Sequence, residues 1–125
     1  MRQVVATGLP PEPAPFSHAV VSNGVVVTAH LPIRSHGTAE TGSASTQADV
    51  ALSNLKRAVE AAGASLDDVA HVTLFITRIE DKAAIDETYA RYFRPPYPSR
   101  ACIVVQGLVV PGTRLEVVAY AALPH

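Results

Sequence analysis

Residues 115 to 121 read Leu115-Glu116-Val117-Val118-Ala119-Tyr120-Ala121, and this stretch decides the architecture. Alternate residues of a strand point to opposite faces. Leu115, Val117 and Ala119 therefore line one face, and Val118 and Tyr120 line the other. Both faces are apolar, with a single carboxylate, Glu116, set among them. A strand that is apolar on both faces is covered on both faces. Phe75 gives the same double-sided character to the strand in which Val72, Leu74 and Ile76 alternate with His71, Thr73 and Thr77.

The rest of the chain supplies cover for one face. Leu52, Leu55, Val59 and Ala62 recur at spacings of three and four, which predicts a helix. Thr46 with Asp49 is the expected capping box, Gly63 the expected C-cap, and Ser65 with Asp68 repeats the capping pattern in a short turn. A second helix is expected from about Asp81 to Phe93, with Ile85, Tyr89, Tyr92 and Phe93 on its buried face and Pro95-Pro96 as its stop. Ala101 to Gln106 reads as a strand, joined to the last one through Pro111-Gly112. Ala19 to Leu31 reads as two short strands around Asn23-Gly24, a strong hairpin signal. The prolines between residues 10 and 15 mark an extended surface loop, and Arg34 to Gly42 is a second loop. With a short first strand the expected order is β-β-β-α-β-α-β-β. This is one α+β domain over residues 1 to 125, a mixed six-stranded sheet with both helices on one face. The other face must then meet another subunit, so a homo-oligomer is expected, of a size this reasoning does not set.

Composition narrows the function. At 125 residues, 48% of them apolar, the chain suits one domain with a real core. Trp is absent and aromatics make up 6%, so Val, Ala, Leu and Ile must build that core. A net charge of -1 gives no footprint for nucleic acid or an anionic membrane. No apolar run approaches the roughly 20 residues of a membrane span. Met1 to Gly8 has one Arg and no continuous apolar core, so no signal peptide is expected. One cysteine, Cys102, cannot close an intrachain disulfide, and a reducing, cytoplasmic location follows as the simplest expectation. His18, His30, His36, His71 and His125 lack the spacing of a zinc site, so no metal is expected, and His71 reads as a residue on a sheet face.

Three residues have chemistry to offer. Arg100 opens a strand just after Pro98; it is either a solvated arginine or a planar fork for a carboxylate. Glu116, inside an apolar strand, must be paired or must hold a proton; the alternatives are a structural partner for an arginine or backbone N–H groups, and a group that positions or activates water. Cys102 lies two residues past Arg100 on the same strand face, and with no activating neighbour it reads as a small buried hydrophobe.

Several segments together resemble the RidA/YjgF family in order and spacing along nearly the whole chain. They are Pro15-Phe16-Ser17-His18-Ala19-Val20, Gly24 to Pro32, Ala61-Ala62-Gly63-Ala64-Ser65, Asp68-Val69 leading into Val72-Thr73, Tyr89 to Phe93, Pro98-Ser99-Arg100-Ala101-Cys102, and Leu115-Glu116-Val117. The resemblance implies a chorismate-mutase-like fold and a homotrimer with clefts between subunits. It also implies hydrolysis of small reactive 2-imino or enamino acids to keto acids and ammonia, without metal or organic cofactor. By the same resemblance Arg100 binds the substrate carboxylate, Glu116 is the acidic site residue, and Cys102 lines the pocket while its backbone helps hold water. Thr28 takes the place of the pocket hydroxyl, in Thr28-Ala29-His30 where the family usually has a Ser-Gly-Gln type segment. Three positions depart from the pattern: Phe16 stands for a tyrosine, Asp86 for an asparagine and Ala29 for a glycine. Those departures keep open a non-catalytic module that binds a small carboxylate or a protein partner in the same cleft. Some relatives have been called ribonucleases; the absence of a basic stripe, a stacking platform and a catalytic histidine pair argues against that activity.

Overall fold

In a computed structural model residues 1 to 124 are described, and they form six strands and two helices. The strands are β1 (Gln3–Val4), β2 (Ala19–Ser22), β3 (Val25–His30), β4 (Val69–Ile76), β5 (Ser99–Val104) and β6 (Leu115–Ala122). The helices are α1 (Ala44–Ala61) and α2 (Lys82–Tyr92). One mixed sheet runs β1-β2-β3-β6-β4-β5. Only β4 and β5 pair in parallel, with α2 as their connection; all other pairs are antiparallel.

The local signals work as the residue chemistry requires. Asn23 and Gly24 both take positive φ, 50° and 75°, which is the two-residue turn that matches strand twist. Gly63 at φ 94° follows the α1 C-cap Ala62; Ala64 donates to Val59 O at 2.9 Å and Gly63 to Glu60 O at 3.0 Å. These two bonds close the helix in a Schellman motif. The start of α1 differs from expectation. Ser43, not Thr46, is the N-cap, and its Oγ accepts from Thr46 N at 3.2 Å. Asp49 instead receives the Tyr92 hydroxyl at 2.6 Å, tying α1 to α2. The penultimate strand also begins two residues earlier than expected, because its register with β4 runs from His71↔Ser99 to Ile76↔Val104.

Both helices pack on one face. Val26, Val72, Leu74, Ile76, Leu115, Val117 and Ala119 meet Leu52, Leu55 and Val59 of α1 and Ile85 of α2, all essentially inaccessible. Burying each large side chain here contributes roughly 1.5–3 kcal/mol. The opposite face carries Phe75, Ile103, Glu116, Val118 and Tyr120, and it is open in the protomer, with Ile103 and Tyr120 exposed. Within the described residues no helix is long and apolar enough to cross a membrane.

Candidate active site

Arg100 sits in β5, the edge strand, opposite Val72 of β4. Residues paired across a sheet share a face, so Arg100 points to the helix side. There α2 presents Lys82, Asp86 and Tyr89 at i, i+4 and i+7, one stripe of a helix. Arg100 Nη1 lies 2.8 Å from Asp86 Oδ1. The guanidinium carbon stands 4.8 Å from the centroid of the Tyr89 ring, a cation–π contact. Tyr89 is in turn stacked on Phe93 at 4.6 Å. Lys82 Nζ donates to Asp86 Oδ2 at 2.6 Å. Burial pushes the Asp86 carboxyl up, but the hydrogen bond from Lys82 and the Arg100 guanidinium outweigh it and hold the group below its ordinary value. Asp86 is therefore an anion at neutral pH. Burial raises the Tyr89 hydroxyl to about 12, with Arg100 opposing and Asp86 reinforcing, so it keeps its proton.

Among the described residues, two buried side-chain polar atoms lack a hydrogen-bond partner, and both are here: Asp86 Oδ1 and Tyr89 Oη. The Arg100–Asp86 contact is a close ion pair whose N–H directions miss Oδ1. An orphaned buried hydroxyl such as Tyr89 Oη costs about 1–3 kcal/mol and calls for a ligand or water, while Oδ1 keeps the Arg100 ion pair and has room for a better-aligned donor. The corner thus offers a cation, an ionised acceptor and a hydroxyl donor around one point.

The other expected site residues divide into two sets. Cys102, also on the helix face of β5, is a free thiol packed against the core. Glu116 is on the opposite face, paired with Phe75, in the row that continues to Ile103. Burial raises its carboxyl, and among the described residues no side-chain partner engages it. Phe16, Thr28 and Ala29 lie toward the far edge. Thr28, Ala119, Val72 and Arg100 form one row across the sheet, so Thr28 is three strands from Arg100, about 14 Å at the usual spacing. Thr28 is buried, and its hydroxyl donates to His18 O at 3.0 Å and also contacts His30 Nε2. That hydroxyl, expected to line the cleft, faces inward in this protomer. Ala29 is exposed and its N–H donates to His18 O at 3.3 Å. Phe16 is exposed and edge-on to His18, centroids 6.0 Å apart. One protomer therefore brings Arg100, Asp86 and Cys102 together and leaves Glu116, Phe16, Thr28 and Ala29 apart from them.

Two surface hollows, of about 320 Å³ beside Lys56, Arg91 and Arg94 and about 340 Å³ beside Arg34, His36 and Arg57, do not include Arg100. A closed pocket at Arg100 needs a second wall. No cluster of three His, Cys, Asp or Glu side chains is placed to hold a metal ion among the described residues.

One grouping was missed in the sequence. His18 and His30 stack with ring centroids 6.2 Å apart, and His18 Nε2 contacts Pro10 O at 2.6 Å. The hairpin register, Ala19↔Thr28 about the Asn23-Gly24 turn, does not carry the signal: continued by one residue it sets His18 opposite Ala29, on the other face from His30, and the stack forms because β2 begins only at Ala19 and His18 lies outside the ladder.

Residues 9 to 123 match the protein family described as Endoribonuclease L-PSP. The chain belongs to the YjgF/RidA family. It is 32% identical over 120 residues to protein HMF1 of Saccharomyces cerevisiae, covering 95% of this chain and 92% of that protein. It is 33% identical to the 2-iminobutanoate/2-iminopropanoate deaminase of Dermatophagoides farinae, covering 86% of each. The 3-aminoacrylate deaminase RutC of Acinetobacter baylyi is 32% identical, covering 94% of each. The crystal structure of E. coli TdcF with bound serine superposes with a TM-score of 0.89 at 30% identity, covering 98% of this chain and 99% of that one. Family members of this kind are thus named as imine or enamine deaminases, and this Rid chain shares their fold.

Proposed function

We propose that this Rid chain hydrolyses small 2-imino or enamino acids to 2-keto acids and ammonia, in a cleft completed by neighbouring copies in a homotrimer. The observation that carries the reading is the Arg100 corner: a fixed guanidinium beside two buried polar atoms without partners. Every 2-imino acid carries a carboxylate next to the reacting carbon, and a guanidinium is the fork that grips it. The serine held by TdcF bears the same carboxylate.

In the proposed reaction Arg100 anchors the carboxylate while backbone near Cys102 orients the imine and a water; the Thr28 hydroxyl, given to His18 O in the protomer, joins them only if the cleft turns it outward. Water oxygen bonds to the imine carbon, the C=N electron pair returns to nitrogen, and the water proton passes through Glu116 to that nitrogen. In the carbinolamine the hydroxyl proton passes, again through Glu116, to the nitrogen; the O–H electron pair forms the C=O bond as the C–N bond breaks, and ammonia leaves the keto acid behind. Burial raises the Glu116 carboxyl, which suits a group that takes and returns a proton. No metal or organic cofactor enters the reaction. Imines already hydrolyse in water, and each tenfold acceleration needs only ~1.4 kcal/mol.

A homotrimer fits the separation of the two residue sets, since a partner's hairpin edge can supply what β5 lacks. A reducing compartment such as the cytoplasm fits the free Cys102. Neither nucleic acid nor a membrane is required as partner; the ligand is a small carboxylate. A second reading, a non-catalytic carboxylate-binding module, is favoured by one observation: Glu116 is on the opposite sheet face from Arg100.

The test is ammonia release from imines generated in situ from several amino acids. The parent should accelerate at least one of them, and Arg100→Ala should lose that acceleration. Equal rates for the two proteins would remove Arg100 from the mechanism. If the parent binds carboxylates yet accelerates no imine, the binding module replaces the enzyme.

A further inference from the structure

We propose that Asp86 makes the Arg100 corner selective for zwitterions, with the ligand carboxylate on the free edge of the Arg100 guanidinium and the protonated nitrogen of the same ligand on Asp86 Oδ1. The inference rests on the reading of Arg100 as a carboxylate anchor and goes beyond it by naming the second half of the ligand.

The argument starts from what each atom still lacks. Lys82 fills Asp86 Oδ2 at 2.6 Å. Oδ1 is 2.8 Å from Arg100 Nη1 but receives no aligned hydrogen bond and is buried. A carboxylate accepts hydrogen bonds and cannot donate one. Whatever completes Oδ1 must therefore be a donor. The Arg100 guanidinium keeps Nη2 and Nε for a carboxylate, since among the described residues its one ion pair is made through Nη1. Nη1 and Oδ1 are adjacent, so the complementary ligand holds a carboxylate and an N–H donor on neighbouring atoms. An α-amino acid and a protonated 2-imino acid both have that frame. Tyr89, whose ring lies beneath the guanidinium, carries a buried hydroxyl with no hydrogen-bond partner among the described residues, and that hydroxyl can add a donor to the ligand carboxylate.

A 2-keto acid has the wrong polarity for this corner. Its carbonyl oxygen would lie where the nitrogen should, acceptor against acceptor at Oδ1. The site would then hold the protonated imine and reject the keto acid formed from it, which favours product departure. Lys82 sets the strength of the effect, because its ammonium withdraws charge from Asp86 through Oδ2.

L-alanine and pyruvate test the idea directly, since they share a carbon frame and differ in ammonium against carbonyl. Calorimetric or NMR titration of the parent should give L-alanine an advantage of ~10-fold or more, the size expected of one charged hydrogen bond. Asp86→Asn should bring the ratio to near one or invert it. Lys82→Ala should raise it. Arg100→Ala should abolish binding of both ligands. If Arg100→Ala loses both but Asp86→Asn leaves the ratio unchanged, the anchor stands and the role of Asp86 is wrong. If the parent prefers pyruvate, the proposal is also overturned. If Arg100→Ala binds both ligands as the parent does, or the parent binds neither at millimolar concentration, the anchor itself falls and takes the proposal with it.

Discussion

Acidification should destabilise this protein through His30, and the size of the effect can be worked from its surroundings. His30 closes β3 with its ring on the helix side, 3% exposed. The Thr28 hydroxyl has one proton and gives it to His18 O, so His30 must donate to Thr28 Oγ1 through Nε2. That fixes the Nε2–H tautomer and a neutral ring. Burial, and then the nearby His18, lower the His30 pKa from 6.5 to about 3. The sign follows: in acid the unfolded chain takes up a proton that the folded protein refuses, so stability falls as pH drops below 6.5. Each pH unit inside this window is worth ~1.4 kcal/mol, so moving from pH 7.5 to pH 5 should remove ~2 kcal/mol through this one group. The loss continues until pH nears 3. For a protein of ordinary stability that is a large share of the total. Urea titrations at pH 7.5 and 5.0, on the parent and on His30→Gln, isolate the contribution. Gln can keep a donor toward Thr28 but binds no proton. The parent should lose ~2 kcal/mol more than the variant between the two pH values. Parallel losses in the two proteins would refute a neutral, buried His30.

Three further expectations follow from other parts of the molecule. Gln47 is fully buried; its amide donates to Gly42 O and Gly112 O at 3.1 Å each and accepts from Arg114 N at 2.7 Å, so Gln47→Leu should cost ~2–4 kcal/mol in urea with an unchanged m-value, and a loss under ~1 kcal/mol would mean water replaces the amide. Glu116 has a raised carboxyl, so its folded form holds its proton more tightly than the unfolded chain and its contribution is lost as pH rises through the folded value; Glu116→Gln should be at least as stable as the parent at pH 7 while losing ~10²-fold or more in imine turnover. Light scattering should give the mass of a trimer, with Tyr120→Glu on the open face shifting it toward monomer; a monomeric parent at micromolar concentration would end the interface-cleft reading.

What the sequence reveals here is what periodicity carries. The two-sided apolar pattern of β6, the Asn23-Gly24 turn, the Leu52-Leu55-Val59 stripe and the Ser65–Asp68 capping box are local signals, and each appears in the structure where its residues stand. The start of α1 was obscured because its first buried positions are Ala44, Gln47 and Ala48, two small side chains and an amide, which make a faint apolar stripe. Whether Arg100 meets Asp86 is a different kind of question. It depends on the parallel register Val72↔Arg100, which turns Arg100 toward the helices, and on the crossover that lays α2 beside β5. A one-residue slip would send Arg100 to the open face and leave Asp86 with Lys82 alone. Periodicity in either segment is indifferent to that slip; the buried contacts of Val72, Leu74 and Ile76 are not, since the slip would turn Cys102 off the core as well. The core thus fixes the corner, and the corner's unfilled polar atoms are what point beyond the core to a ligand.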